Sequence, residues 1–221
     1  MVTVLKDIPV PGVEVIPCRL NGPRGIVKAF LLHDDAATVL VDTGFSDADA
    51  DLIVERLARI GRSPADLTMC VLTHRHGDHV GGLKKLRGLG NFAVVAHEDE
   101  AKGVEQTCGV AVERTVKDGD ELPEIAGIRI VHMPGHTPGS IALYLHQHRA
   151  FVAGDAIVSA GEHLVVSPAF LCDDPDQARQ SVKRLLGMAL PIDHMLVAHG
   201  DDVYGKAGDP LARILVERRA F

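Results

Sequence analysis

Cysteine is scarce in this 221-residue chain: Cys18, Cys70, Cys108 and Cys172 lie far apart, and no two are spaced C-x-x-C. Their scatter argues against a disulfide scaffold or a thiolate zinc site and leaves them as small apolar fillers. Positive charge is also short, with 23 Lys and Arg against 30 Asp and Glu and a formal net charge of -7. No basic groove, and so no nucleic-acid partner, is expected. Long apolar runs are missing as well. The opening "MVTVLKDIPVPGVEVIPCRL" breaks its apolar residues with Lys6, Asp7 and several prolines, which fits neither a signal peptide nor a membrane span, so the expectation is a cytoplasmic protein with no membrane partner. No linker or low-complexity tract interrupts the chain. With 46% hydrophobic content, a single domain over residues 1–221 is the economical reading.

What is present is a series of short β-branched apolar runs, near 26–32, 38–41, 69–72, 93–96, 128–132, 140–145, 150–153 and 194–198, which predict strands. Between them "SDADADLIVERLARIG" opens with a capping Ser46, sets Ile53, Leu57 and Ile60 on one face and stops at Gly61. "DDPDQARQSVKRLLG" repeats that design, with acidic residues and Pro175 early and Gly187 at its stop, and "DPLARILVERR" predicts a last helix. Turn-rich segments near 21–25 and 133–139 punctuate the pattern. The sum is an α/β chain of two sheets between outer helices.

"VLTHRHGDHVGG" crowds His74, His76, Asp78 and His79 into six positions behind an apolar strand. Metal ions such as zinc take neutral imidazoles and carboxylates at about 2.0–2.2 Å, and residues at i and i+2 of an extended backbone face the same side, as His74 and His76 do. Gly77 is expected to bend the chain so that Asp78 and His79 join them from the first turn of a helix. Four ligands from one corner are too close for one tetrahedral ion but suit two neighbours. Further ligands should lie at strand ends beside glycine. His136 in "VHMPGHTPGS", Asp155 in "FVAGDAIV" and His199 in "MLVAHGD" meet that description.

The succession H-x-H-x-D-H, G-H-T-P-G-S, G-D and H-G, from "VLVDTG" to His199, resembles the metallo-β-lactamase-fold superfamily. The resemblance implies an αββα sandwich of two mixed sheets with a dinuclear site at one edge. By motif, His74, His76 and His136 would hold one metal, Asp78, His79 and His199 the other, and Asp155 would bridge them, with Asp42 steadying a ligand from behind. Two divalent ions, zinc first and manganese or iron as alternatives, would lower the pKa of a shared water toward neutrality and polarise a scissile carbonyl. Asp78 or Asp155 would carry the proton. His33, His97, His132, His146, His148, His163 and His194 match no ligand position.

The lactamase branches resemble the chain only in part, since one has Cys where Asp155 stands and another lacks the bridging carboxylate. The all-His/Asp set and "GHTPGSIALY" are similar to the thioester hydrolases of hydroxyacyl-glutathione. Only 22 residues follow His199 (221 minus 199), so their basic C-terminal helical region is expected to be missing or reduced to one helix. Quorum-type lactonases share the ligand set and a similar His79-to-His136 spacing of 57 (136 minus 79), though no tyrosine lies between Asp155 and His199. In either case "SAGEHLVVSPAFLCDD" would lie over the pocket, with Leu164, Phe170 and Leu171 offered to a small-molecule acyl group. RNA-processing members carry extra domains for which the length leaves no room. Two readings of other classes stay open: a persulfide dioxygenase-like oxidoreductase holding one iron through His79, His136 and Asp155 or a near permutation, and a non-catalytic metal-bearing protein. A homodimer is also left open.

Overall fold

The computed structural model describes residues 10–19, 25–125, 127–161 and 163–215. All but Gly25 of the turn expected near 21–25, and residues 216–219 of the expected last helix, lie outside them. In the first half, β1 (Val13–Arg19), β2 (Ile26–His33), β3 (Thr38–Val41), β4 (Met69–Val71), β5 (Ala93–His97) and β6 (Arg114–Val116) form one sheet in that order. The first three strands pair antiparallel and β3 to β6 pair parallel. In the second half come β7 (Ile128–His132), β8 (Ile141–Leu145), β9 (Ala150–Val152), the hairpin of β10 (Ile157–Ala160) with β11 (His163–Val166), and β12 (His194–Leu196). The second sheet runs β12-β9-β8-β7, with β12 parallel to β9.

Strand alternation decides the layers. Val39 and Val41 of β3, Met69 and Val71 of β4, and Ile141, Leu143 and Leu145 of β8 meet in one core between the sheets. Leu40, Cys70 and Val94 point the other way, against Ile53 and Leu57 of α1 (Asp47–Arg59), Val80 of α2 (Gly77–Val80), Leu83 and Leu86 of α3 (Leu83–Leu89) and Val104 of α4 (Ala101–Cys108). On the far side, Tyr144, Phe151 and Met195 meet Val182 and Leu185 of α5 (Pro175–Gly187) and Leu211 of α6 (Gly208–Arg213). The result is the expected αββα sandwich. Among the described residues no helix is long and apolar enough to cross a membrane. All four cysteines are free, and burial pushes each thiol up, Cys18 to about 12.

Expected and observed helices agree closely. At α1 the Asp49 carboxylate accepts from the Ser46 amide at 3.0 Å, and Gly61 follows the helix at φ 72°. Ile60 is only partly buried at the margin of that core. α5 ends at Gly187, as expected, with Met188 capping it, and the chain turns two residues on at Ala189, at φ 49°. Among the described residues, β1, β6, α4 and the two strands of the β10–β11 hairpin have no counterpart in the sequence reading. β1 is an edge strand whose alternation is interrupted by Pro17, a residue tolerated at an edge. β6 has three residues, α4 carries a helix-weakening Gly103, and the β10–β11 hairpin replaces part of a stretch expected as loop.

Leu143 lies on an inner strand of the second sheet and is fully buried between the sheets. Leu143→Ala should cost about 2–5 kcal/mol, the range for removing a buried leucine side chain. Urea unfolding checks this, and a loss under about 1 kcal/mol would place the residue outside the tight core.

Candidate metal centre

The chemistry-bearing side chains all follow the C-terminal ends of strands. Asp42 follows β3; Thr73, His74 and His76 follow β4, with Asp78 and His79 on α2; His136 lies between β7 and β8, Asp155 after β9 and His199 after β12. Close approach of α2 and α3 to the end of β3 depends on Gly81 and Gly82. A Cβ on Gly81 would collide with the Phe45 carbonyl oxygen, and one on Gly82 with that of Thr43. Gly77 does not supply the expected bend: its φ is not in the positive region, and a Cβ there would meet nothing within 4 Å. The turn is made instead by His76, extended at φ -66° and ψ 148° immediately before α2.

Asp42 is buried in the left-handed region at φ 60°, a conformation that costs a non-glycine residue on the order of 1–3 kcal/mol unless the surroundings hold it. Here they do. Its carboxylate accepts from the Thr73 amide (2.8 Å) and hydroxyl (2.7 Å) and faces His79 Nδ1 at 2.8 Å. Thr43 donates to the His79 carbonyl from its amide (2.7 Å) and its hydroxyl (2.9 Å). With Nδ1 engaged, His79 has Nε2 left to face the site. His74 and His136 are oriented in the same way, His74 Nδ1 lying 3.1 Å from Thr73 Oγ1 and His136 Nδ1 3.0 Å from Ser167 Oγ. The sequence reading missed Thr73 and Ser167. Thr73 stood next to the cluster; Ser167, 31 positions from His136, carried no signal.

Two groups of potential ligand atoms result. His136 Nε2 lies 3.2 Å from His74 Nε2 and 3.0 Å from His76 Nδ1, close to the roughly 3.3 Å separating nitrogens that share a tetrahedral ion at about 2.0–2.1 Å. Asp78 Oδ2 lies 3.4 Å from His199 Nε2 and 3.9 Å from His79 Nε2. Asp155 stands between the groups, Oδ1 3.2 Å from His79 Nε2 and Oδ2 3.5 Å from His136 Nε2 and 3.4 Å from His199 Nε2. His79 Nε2 and Asp155 Oδ1 are buried without a hydrogen-bond partner. Such atoms are costly unless a cation satisfies them, so the residues present fit metal ions.

Electrostatics divide the histidines. Burial holds His74 well below the usual imidazole value, lowers His76 and brings His136 to about 4, keeping these three neutral as ligands must be. Burial opposes charge on His79 too, but Asp155 and Asp42 outweigh it and raise the imidazole well above its ordinary value. In the same way Asp155 and Asp78 overcome burial to bring His199 up to about 9. Asp155, against burial, is drawn well below the carboxylate range by His79, His199 and His74.

The expected apolar contacts divide. Phe170 (78% exposed) and Leu171 (49% exposed) stand open on a turn between Ser167 and Asp173, both of which bond to His136. Leu164 is a correction: as a β11 residue it is buried in the cluster with Val182 and Leu185, so a hairpin strand rather than a covering loop decides where it faces. Of the histidines read as bystanders, His97 and His132 stack at 4.0 Å with planes 9° apart beside Asp99. Their parallel ring planes do not direct lone pairs at one point, and His132 Nε2 faces the Pro138 carbonyl oxygen at 2.9 Å.

A four-layer sandwich with paired His/Asp groups on its strand-end edge defines a class of metal-binding α/β protein. The chain belongs to the metallo-beta-lactamase superfamily, whose family model matches residues 22–200. It is 34% identical over 136 residues to a hydroxyacylglutathione hydrolase of Rhodopseudomonas palustris (strain BisA53), covering 60% of this chain and 48% of that protein. It is 25% identical over 207 residues to the probable metallo-hydrolase YflN of Bacillus subtilis (strain 168), covering 76% and 77%. The chain thus spans about half the length of the hydroxyacylglutathione hydrolases it matches. Among solved structures, a metallo-beta-lactamase from Erythrobacter litoralis shares the fold at TM-score 0.76 and 22% identity, covering 94% and 93%, and a metallo-beta-lactamase family protein from Thermus thermophilus at 0.73 and 24%, covering 92% and 78%. Family and relatives together support a metal-dependent hydrolase as the coarse class.

The shifted histidines lead to an expected pH dependence for the metal-free fold. His199 and His79, raised on folding, contribute stability that is complete below about pH 6.5 and is lost as pH rises toward 9 for His199. His136, His74 and His76, lowered on folding, subtract stability as pH falls below about 6.5, down to about 4 for His136. In the presence of a chelator, urea midpoints should therefore peak near pH 6.5 and fall on both sides. A midpoint rising steadily from about pH 4 to 9 would contradict the assignment of the raised pair.

Proposed function

We propose that the chain is a dinuclear metallohydrolase of small-molecule thioesters or lactones. His74, His76 and His136 would hold one ion, Asp78, His79 and His199 the second, and Asp155 would be shared, with zinc the first choice of metal. The observation that carries this reading is the buried pair of His79 Nε2 and Asp155 Oδ1, 3.2 Å apart and neither with a hydrogen bond, set between two His-rich groups. When bound, two divalent ions supply Lewis acidity toward a carbonyl oxygen and a water ionisable near neutral pH.

The chain's own residues do the rest. Asp42 holds His79 in one orientation, and Thr73 and Ser167 do the same for His74 and His136. Asp78, half-buried and facing His199, would take up a proton from water and return it to the departing thiol or alcohol, a role for which Asp155 is the other candidate. Phe170 and Leu171, exposed beside His136, would take an apolar acyl group. The thioester preference rests on the hydroxyacylglutathione hydrolase relatives, about twice this chain's matched span.

Elemental mass spectrometry on protein purified without added metal should find about two zinc or manganese ions per chain; a single iron would favour the oxygenase alternative. Asp155→Ala should lose both metal and hydrolysis, by more than the roughly 10- to 100-fold typical of losing an outer partner. His148→Ala, which lines a small cavity together with Gly12, His33 and Gln147, should leave turnover unchanged. Full activity in Asp155→Ala would refute the shared-ligand role. On a thioester and lactone panel, kcat/KM should rise with acyl chain length, and Phe170→Ala should flatten that rise; equal slopes in both proteins would remove Phe170 from the substrate site.

A further inference from the structure

Glu100 is fully buried, and the proposed chemistry does not use it. Its Oε2 accepts from the amide of Arg75, the residue between His74 and His76, at 2.8 Å. Its Oε1 accepts from the Arg75 guanidinium at 3.0 Å and from the Gly139 amide, three residues beyond His136, at 2.9 Å. Arg75 continues to the Asp173 carboxylate at 2.6 Å, and the Asp173 amide donates to the His136 carbonyl at 3.1 Å. The contacts close a ring that joins the two loops supplying the three-imidazole group.

Two glycines make room for this ring. A Cβ on Gly139 would stand 2.7 Å from Glu100 Cγ, and one on Gly103 would collide with the Arg75 side chain. Burying a carboxylate is costly unless it is paired and hydrogen-bonded, and here Arg75 pairs with it while two backbone amides donate to it. A neutral isostere cannot reproduce this. The amide group of Gln would turn an N–H toward a backbone N–H, opening either the Arg75 or the Gly139 contact.

We propose that Glu100 is a positioning residue for metal: by tying the Arg75 and Gly139 amides to one carboxylate, it sets the spacing between His74 and His76 on one loop and His136 on the other, and so the affinity of that group. The proposal rests on the metallohydrolase reading above.

The test is metal retention by the folded chain, read without turnover. Wild type, E100Q and D173N are loaded with zinc and dialysed against graded chelator, and the visible spectrum of the cobalt-loaded proteins reports ligand geometry. E100Q should release one ion at about tenfold lower chelator or less, the effect of losing a partner that orients ligands, with an altered cobalt spectrum. D173N, whose side chain is half-exposed, should shift the same way by a smaller factor. Folded E100Q that retains both ions within about twofold of wild type overturns the proposal, even if its thermal stability falls. If E100Q does not fold, unchanged retention in D173N overturns it. A wild-type chain that takes up no metal sinks the metallohydrolase reading itself, which separates the two failures.

Discussion

Everything at this site depends on the buried carboxylate of Asp42. It sits where β3 ends, in a backbone conformation that only a dense set of partners can hold, and those partners are the end of β4 through Thr73 and the start of α2 through His79. One side chain therefore fixes the corner from which four of the seven proposed ligands project. The parallel pairing of β3 with β4 brings the two strand ends level, and Gly81 and Gly82 let α2 and α3 close over them. Fold and site are joined here by shared hydrogen bonds rather than by proximity alone.

The second sheet completes the site by the same device. β7 and β9 run alike because each pairs antiparallel with β8, and β12 runs parallel to β9. His136, Asp155 and His199 thus leave three strands at one edge. Lys28, nearly buried on β2, holds the last of these loops through the Gly200 carbonyl (2.8 Å) and the Asp202 carboxylate (2.6 Å), while burial weakens its charged form and Asp202 restores part of it. The sheets are therefore tied across their edge by polar contacts as well as by the apolar core between them.

Much of this was legible in the sequence because the relevant signals are local. Short β-branched apolar runs marked the inner strands, a capping serine and terminal glycine marked α1, and the ligand types with neighbouring glycines marked the strand ends. What could not be read depends on distant pairing. Pro17 disguises an edge strand that is held by β2. Leu164 is apolar in a plausible covering loop, yet the hairpin turns it into the core. Ser167 gains its role only because the hairpin returns it to His136. Gly77 looked like the hinge because it lies inside the motif, whereas the steric demand falls on Gly81 and Gly82, which meet a loop more than thirty residues earlier.

The histidines themselves show why residue type alone could not sort the site. Twelve are present, and the His97–His132 pair is as close as many ligand pairs. What separates the groups is where the lone pairs point. At His74, His79 and His136 the far nitrogen is taken by Thr73, Asp42 or Ser167, so the near nitrogen faces inward; at His97 and His132 the rings lie parallel. A cation needs convergent lone pairs and nearby negative charge, and only where Asp155 stands among inward-turned imidazoles do the described residues offer both. The specificity of the site for metal thus lies less in its ligands than in the hydroxyls and carboxylates that aim them.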